Sequence, residues 1–284
     1  MGSGFRYLVF MMVSTEQIAA ARYSRMAQRE VYRLAEASSS NMTGTYRFIA
    51  QKIVEALVAS PVWQALLEFY DPDNPPVYDG AVIAILRQIP INQGELAALI
   101  QNQLFGLMMN SYELGAKAQN LLFGGDGIFN LRDPATLESL RQRAGDMAER
   151  GILSLVRGTA FDLLRQKGLR APDRLADALS QVAAGNGNNL GRFDSAFYSH
   201  YSDIRKIWRH ERRDKDRRPE HARLDNVSLE LVDLYPVGGG ALYPQDWDRT
   251  PDPGQWVNCH CFTEYRSAKL ARGVFKPWDG SRPN

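Results

Sequence analysis

Apolar positions recur at helical spacing through most of the first two-thirds of the chain. Behind a capping box of Ser14 and Gln17, residues Ile18, Ala21, Met26, Val31, Leu34 and Ala35 form a loose apolar face, predicting a helix that ends in the polar run Ser38 to Asn41. A second helix is expected over Thr45 to Ala59, where Phe48, Ile49, Ile53, Val54, Leu57 and Val58 make an amphipathic stripe. Pro61 suits the first turn of a third, with Trp63, Leu66, Leu67 and Tyr70 on one side, and Asp71 to Pro76 reads as a loop. The continuous apolar run Ala81 to Ile89 fits either a strand or a buried helix, and Pro90 stops it. Leu96, Leu99, Ile100, Leu104, Leu107, Met108, Leu114 and Leu121 predict a long helix from Gly94 to Phe123. Asp133-Pro134 and Pro172-Asp173 each open another, the first continued by Leu137, Leu140, Met147, Ile152, Leu155 and Val156, the second by Leu175, Leu179 and Val182.

The pattern then changes. Ala183 to Asn189 is all alanine, glycine and asparagine, with little side-chain surface to bury and much tolerance of unusual backbone angles, so it predicts a linker between a helical region 1–184 and a C-terminal domain 191–284. Beyond it, Phe193, Phe197, Tyr201, Ile204 and Trp208 at one-turn spacing predict a helix to Trp208. Val227 to Tyr235 reads as a short strand, Gly238 to Gly240 as a turn, and Trp256 to Tyr265 as a second strand. The expected fold class is therefore α+β, a mostly α-helical N-terminal region with a small α+β C-terminal domain.

Composition and charge narrow the classes. A net charge of +2 argues against a surface dominated by polyanion binding, and two cysteines cannot frame a disulfide-rich domain. The apolar stretch Phe5 to Val13 is too short for a bilayer, which needs about 20 residues, and lacks the flanks of a signal peptide, so an extended arm or short strand is expected there. No membrane and no small-molecule substrate are expected.

Chemistry concentrates between His200 and Cys261, which hold all four histidines and both cysteines, with Trp208, Trp247 and Trp256 among them. On a strand, Cys259 and Cys261 would share a face, and with His210 or His221 they could offer sulfur and imidazole to a tetrahedral zinc ion. The Cys-x-Cys spacing is shorter than usual for zinc and there is no second cysteine pair, so two small residues packing a strand is the preferred expectation and no cofactor is assigned. Arg212, Arg213, Arg217, Arg218 and Arg223 could contact phosphates, although Asp214, Asp216 and Glu220 are interleaved with them. An enzymatic alternative is a metal-dependent nuclease or hydrolase, in which His210, Asp214, Asp216, His221 and Asp225 hold a divalent ion and His260 acts as general base. No catalytic motif supports it.

The residues from Arg217 to Asn226, the turn Pro251-Asp252-Pro253-Gly254 and the end Val257-Asn258-Cys259-His260-Cys261 resemble the C-terminal domain of phage head morphogenesis proteins, the Mu F-like minor head family. His221, Leu224, Asp225, Asn258, Cys259 and Cys261 match the family pattern. Asn226 stands where glycine is common, and His260 where arginine is common. The resemblance covers roughly residues 205–266. It implies a low-copy minor capsid protein of the virion, acting in head morphogenesis, with portal or major capsid protein and packaged double-stranded DNA as partners and no enzymatic activity. His221 and the two cysteines would then hold the small domain together.

Overall fold

The computed structural model describes residues 15–70, 75–88, 93–124, 134–165, 168–210, 218–250, 253–256, 259–267 and 276–277. Six helices come first: α1 (Thr15–Val58), α2 (Pro61–Phe69), α3 (Pro75–Leu86), α4 (Gln93–Leu122), α5 (Pro134–Leu164) and α6 (Ala171–Phe197). A small sheet follows, with strands β1 (Ile204–Arg209), β2 (Val227–Glu230) and β3 (Phe262–Ser267), short helices α7 (Pro219–Arg223) and α8 (Pro253–Trp256), and a two-residue strand β4 (Lys276–Pro277). β1 is central, antiparallel to both β2 and β3, and β4 lies parallel to β2. The fold class is α+β, as the hydrophobic pattern predicts. Ser14, the arm Phe5–Val13 and the Asp71–Asn74 part of the expected loop lie outside the described residues.

Two local expectations are corrected, and one left open between strand and helix is decided. The polar run near Ser38 does not end a helix, because α1 is one helix of 44 residues. Ser40 Oγ donates to the Glu36 carbonyl (3.2 Å) and Thr43 Oγ1 to the Ser39 carbonyl (2.9 Å), so these hydroxyls are satisfied one turn back instead of breaking the ladder. The run Ala81–Leu86 is helical within α3. Helix α6 stops at Phe197, and Ile204 to Trp208 is strand, its burial alternating at the start as a strand's does.

The run Ala183 to Asn189 is not a linker. It is the interior of α6 and buried throughout its length. Its glycines permit a backbone-to-backbone crossing with α4: a Cβ placed on Gly187 would lie 3.0 Å from the Met108 carbonyl carbon, and one on Gly191 would lie 2.9 Å from that of Tyr112. Gly115 on α4 faces Asn188 in the same way. The asparagines satisfy buried groups that the glycines bring close. Asn188 Nδ2 donates to Gln28 Oε1 (2.8 Å), and Asn186 Nδ2 donates to the Gln245 carbonyl (2.6 Å).

Polar side chains also bind the helices to the sheet. Arg192, fully buried, donates to Ser24 Oγ of α1 (2.9 Å) and lies 4.9 Å from the Phe262 ring of β3, and burial lowers its pKa to about 10. On the side of β3 away from β1, Gln119 of α4 donates to the Tyr265 carbonyl (2.7 Å) and accepts from its N–H (3.0 Å), while Asn189 Oδ1 accepts from the Thr263 N–H (3.0 Å). Two helix amides thus occupy the outer edge of the strand. On β1, Lys206 sends its ammonium to the carbonyls of Leu242 (2.8 Å) and Asp233, fastening the segment that the Tyr235–Ala241 bridge closes around Gly238 to Gly240. Among the described residues no helix is long and apolar enough to cross a membrane.

Candidate functional site

The sequence between Arg218 and Val227 folds into a compact corner. Arg218 has extended backbone before α7, Pro219 occupies the first turn, and the helix closes after one turn with the Leu224 N–H donating to the His221 carbonyl (3.2 Å). Leu224 is buried beneath it. Asn226 then takes φ 66°, the left-handed region that asparagine tolerates better than other non-glycine residues, and its N–H donates to the Trp208 carbonyl (2.9 Å). This turn aims His221 inward while the chain leaves as β2.

Three further segments meet His221. β1 delivers His210, whose backbone N–H donates to Asp225 Oδ1 (3.0 Å). The end of α8 delivers Cys259, with its N–H bonded to the Trp256 carbonyl (2.8 Å) and its own carbonyl accepting from Gln245 Nε2 (2.8 Å). Cys261 immediately precedes β3. The two cysteines therefore lie before the strand and not within it, a correction to the expected strand over Trp256 to Tyr265; local turns, not strand alternation, bring them together.

The result is a small buried cluster. His221 Nδ1 is 3.3 Å from Cys259 Sγ and 3.7 Å from Cys261 Sγ, and His210 Nδ1 is 3.3 Å from Cys261 Sγ. His221 and Cys261 are each 1% exposed and Cys259 4%. Trp208 stands edge-on to the His221 ring at 5.5 Å, and Trp256 lies at 5.7 Å on a tilted plane. Burial pushes both thiols up, but Cys261 and His221 hydrogen-bond to Cys259 and hold its pKa well below the ordinary range. Burial next to that anion raises Cys261. The Arg218 guanidinium adds positive charge beside Cys261.

Of the proposed metal ligands, His221, Cys259 and Cys261 converge here, their ligand atoms all within 4.8 Å of one another, and His210 touches Cys261 at the edge of the group. Among the matching motif residues, Leu224 and Asp225 support the corner, and Asn258 lies outside the described residues. Of the proposed phosphate-binding arginines, Arg223 is exposed and Arg218 sits near the cysteines, while Arg212, Arg213 and Arg217 lie outside the described residues, as do Asp214 and Asp216. His260 packs its ring against Tyr32 of α1, 4.2 Å between centroids. Sequence reasoning missed Gln245, which holds the Cys259 carbonyl, and the walls formed by Trp208 and Trp256; the tryptophan enrichment of this stretch was the available signal. In comparisons with known proteins, the chain matches no protein-family model, no curated protein and no solved structure.

Proposed function

We propose that the chain is a phage minor head protein that acts in head morphogenesis, its helical region docking on portal or major capsid protein and its C-terminal domain turned towards packaged DNA. The observation that carries this reading is the backbone at Asn226. The family-like pattern places glycine there, and Asn226 has φ 66° at the turn that delivers His221 to the cysteines. The departure from the pattern thus preserves the conformation that the pattern requires. The matching residues His221, Leu224, Asp225, Cys259 and Cys261 also form one corner of the fold, consistent with a structural signature.

The nuclease alternative calls for a hard, oxygen-rich donor set. The two histidines meet sulfur instead, and Asp225 is engaged with the His210 backbone. Contact with DNA, in the proposed reading, runs through phosphates and the arginines flanking α7, and falls steeply with salt.

The test is genetic and biochemical. In the phage that carries the gene, the chain should be found by mass spectrometry in gradient-purified heads at far lower copy than the major capsid protein, and its deletion should yield defective heads. Its absence from purified particles, with normal heads in the deletion, would sink the reading. So would plasmid cleavage with magnesium or manganese that is lost in His221→Ala.

A further inference from the structure

We propose that the protein binds one structural zinc ion through His210, His221, Cys259 and Cys261. This inference is independent of the virion reading, since it rests on four side chains alone. Around a tetrahedral zinc with Zn–N near 2.0 Å and Zn–S near 2.3 Å, neighbouring nitrogen and sulfur ligands stand about 3.6 Å apart. His221 Nδ1 stands 3.3 Å from Cys259 Sγ and 3.7 Å from Cys261 Sγ, and His210 Nδ1 stands 3.3 Å from Cys261 Sγ. The His221 nitrogen and both sulfurs all lie within 4.8 Å of one another, which leaves room for an ion bonded to each.

The donor set identifies the ion. Two sulfurs and two imidazoles are the soft-to-borderline ligands that select zinc over magnesium or calcium, which need oxygen. His221, Cys259 and Cys261 form the preformed part of the site; His210 Nδ1 touches Cys261 Sγ at its edge (3.3 Å) and would complete a closed tetrahedron, as structural zinc sites have, by a shift of its ring towards the other two donors. Its placement is built: Asp225 accepts from the His210 backbone, Gln245 holds the Cys259 carbonyl, and Trp208 and Trp256 wall the His221 ring. Such outer contacts orient metal ligands. The alternative, two buried thiols merely filling space, does not explain why two histidines meet them.

The ion would join four segments: the end of β1, α7, the turn after α8 and the start of β3. With few residues in this corner held by regular secondary structure, zinc would supply much of its rigidity.

The full-length protein, purified under reducing conditions from zinc-supplemented cells, should carry one zinc per chain by plasma mass spectrometry and keep it through dialysis. Stripping it with a strong chelator should lower the melting temperature, and zinc, not magnesium, should restore it. Refolding with cobalt should give the intense visible bands of a tetrahedral site, a sulfur-to-cobalt charge-transfer band, and quenched tryptophan emission from Trp208 and Trp256. Cys259→Ser and Cys261→Ser should lose the ion; because they could also fail to fold, the cobalt spectrum of the wild-type chain stands as the independent readout. His210→Ala should weaken zinc binding by more than the ~10–100-fold expected for loss of an outer-shell partner and shift the cobalt bands. Folded wild-type protein with only sub-stoichiometric, dialysable zinc and no cobalt charge-transfer band overturns the proposal. An unchanged cobalt spectrum in His210→Ala overturns the closed four-ligand site.

Discussion

The crossing of α4 and α6 makes a sharp energetic prediction, because one chemical change should have opposite signs at different positions. Replacing a helix-interior glycine by alanine ordinarily stabilises by roughly 1 kcal/mol, through lower backbone entropy in the unfolded chain. At Gly44 of α1 and Gly106 of α4 the added methyl meets nothing within 4 Å. Both substitutions should therefore stabilise, by about 0.5–1 kcal/mol. At Gly191 the methyl would sit 2.9 Å from the Tyr112 carbonyl carbon and 3.0 Å from the Ala116 nitrogen, and at Gly187 it would sit 3.0 Å from both the Met108 carbonyl carbon and its Cα. Carbon atoms settle at about 3.5–4.0 Å. Each site thus falls short by about 0.5–1 Å, and the opposing atoms are backbone, which no rotamer change can move. The helices must part, stretching the Tyr112–Asp194 hydrogen bond between them (2.7 Å). Overpacking of this kind costs about 1–3 kcal/mol, with rigid backbone at the upper end. Net of the propensity gain, Gly187→Ala and Gly191→Ala should destabilise by roughly 2 kcal/mol or more. Urea unfolding followed by far-ultraviolet circular dichroism, with the two controls alongside, measures the difference. A Gly191→Ala protein as stable as Gly44→Ala would refute the backbone crossing.

Other tests probe the sheet and the corner. Burial pushes Lys206 down to about 7, helped by repulsion from Arg249 and opposed by weaker attraction to Asp233 and Asp246. Between there and the unfolded value near 10.4, the unfolded chain holds a proton that the folded one lacks. Stability therefore rises with pH in that window, by up to ~1.4 kcal/mol per unit. Lys206→Met removes this slope, so the stability of wild type minus that of the variant should rise from pH 6 to pH 9 in denaturation series; a constant difference contradicts the assignment. Asn226→Ala forces alanine into the left-handed region and removes the Arg209–Asn226 hydrogen bond, and should cost about 1–2 kcal/mol, whereas Asn226→Gly should cost clearly less because the backbone is then relaxed. Equal losses in thermal melts would argue against backbone strain there. Gln245→Ala leaves the Cys259 carbonyl without its buried donor and should destabilise by about 1–3 kcal/mol, and quantified thiol labelling of native protein should show Cys259 more accessible.

Much of this architecture is written in hydrophobic spacing, and the failures have local causes. The stripes of α4 and α5 are legible because their buried residues recur once per turn along an uninterrupted helix. The α6 run misleads because a glycine–asparagine sequence has no helical preference of its own; it is helical only because α4 comes close enough to need glycine, while Gln28 of α1 and Gln245 present groups that need asparagine amides. The serines of α1 mislead for a related reason, since a hydroxyl that caps a helix can equally bond one turn back. In Phe193 to Trp208 the aromatics follow one-turn spacing across a helix end and a strand, and periodicity alone does not mark the break at Phe197. For the site, residue type was informative and geometry was not. His210, His221, Cys259 and Cys261 stand out by rarity, but their meeting depends on Asn226, Asp225 and Gln245, whose roles exist only once the turns are folded.

The outer edge of β3 bears on how the chain can be handled in the laboratory. Gln119 and Asn189 occupy the backbone groups of Tyr265 and Thr263 that a neighbouring strand would otherwise take. A truncated protein beginning at residue 191 would lack both side chains and present that edge bare to every other copy in solution, a ready template for intermolecular pairing. Recombinant fragments cut there should accumulate as aggregates, while those retaining α4 and α6 should stay dispersed.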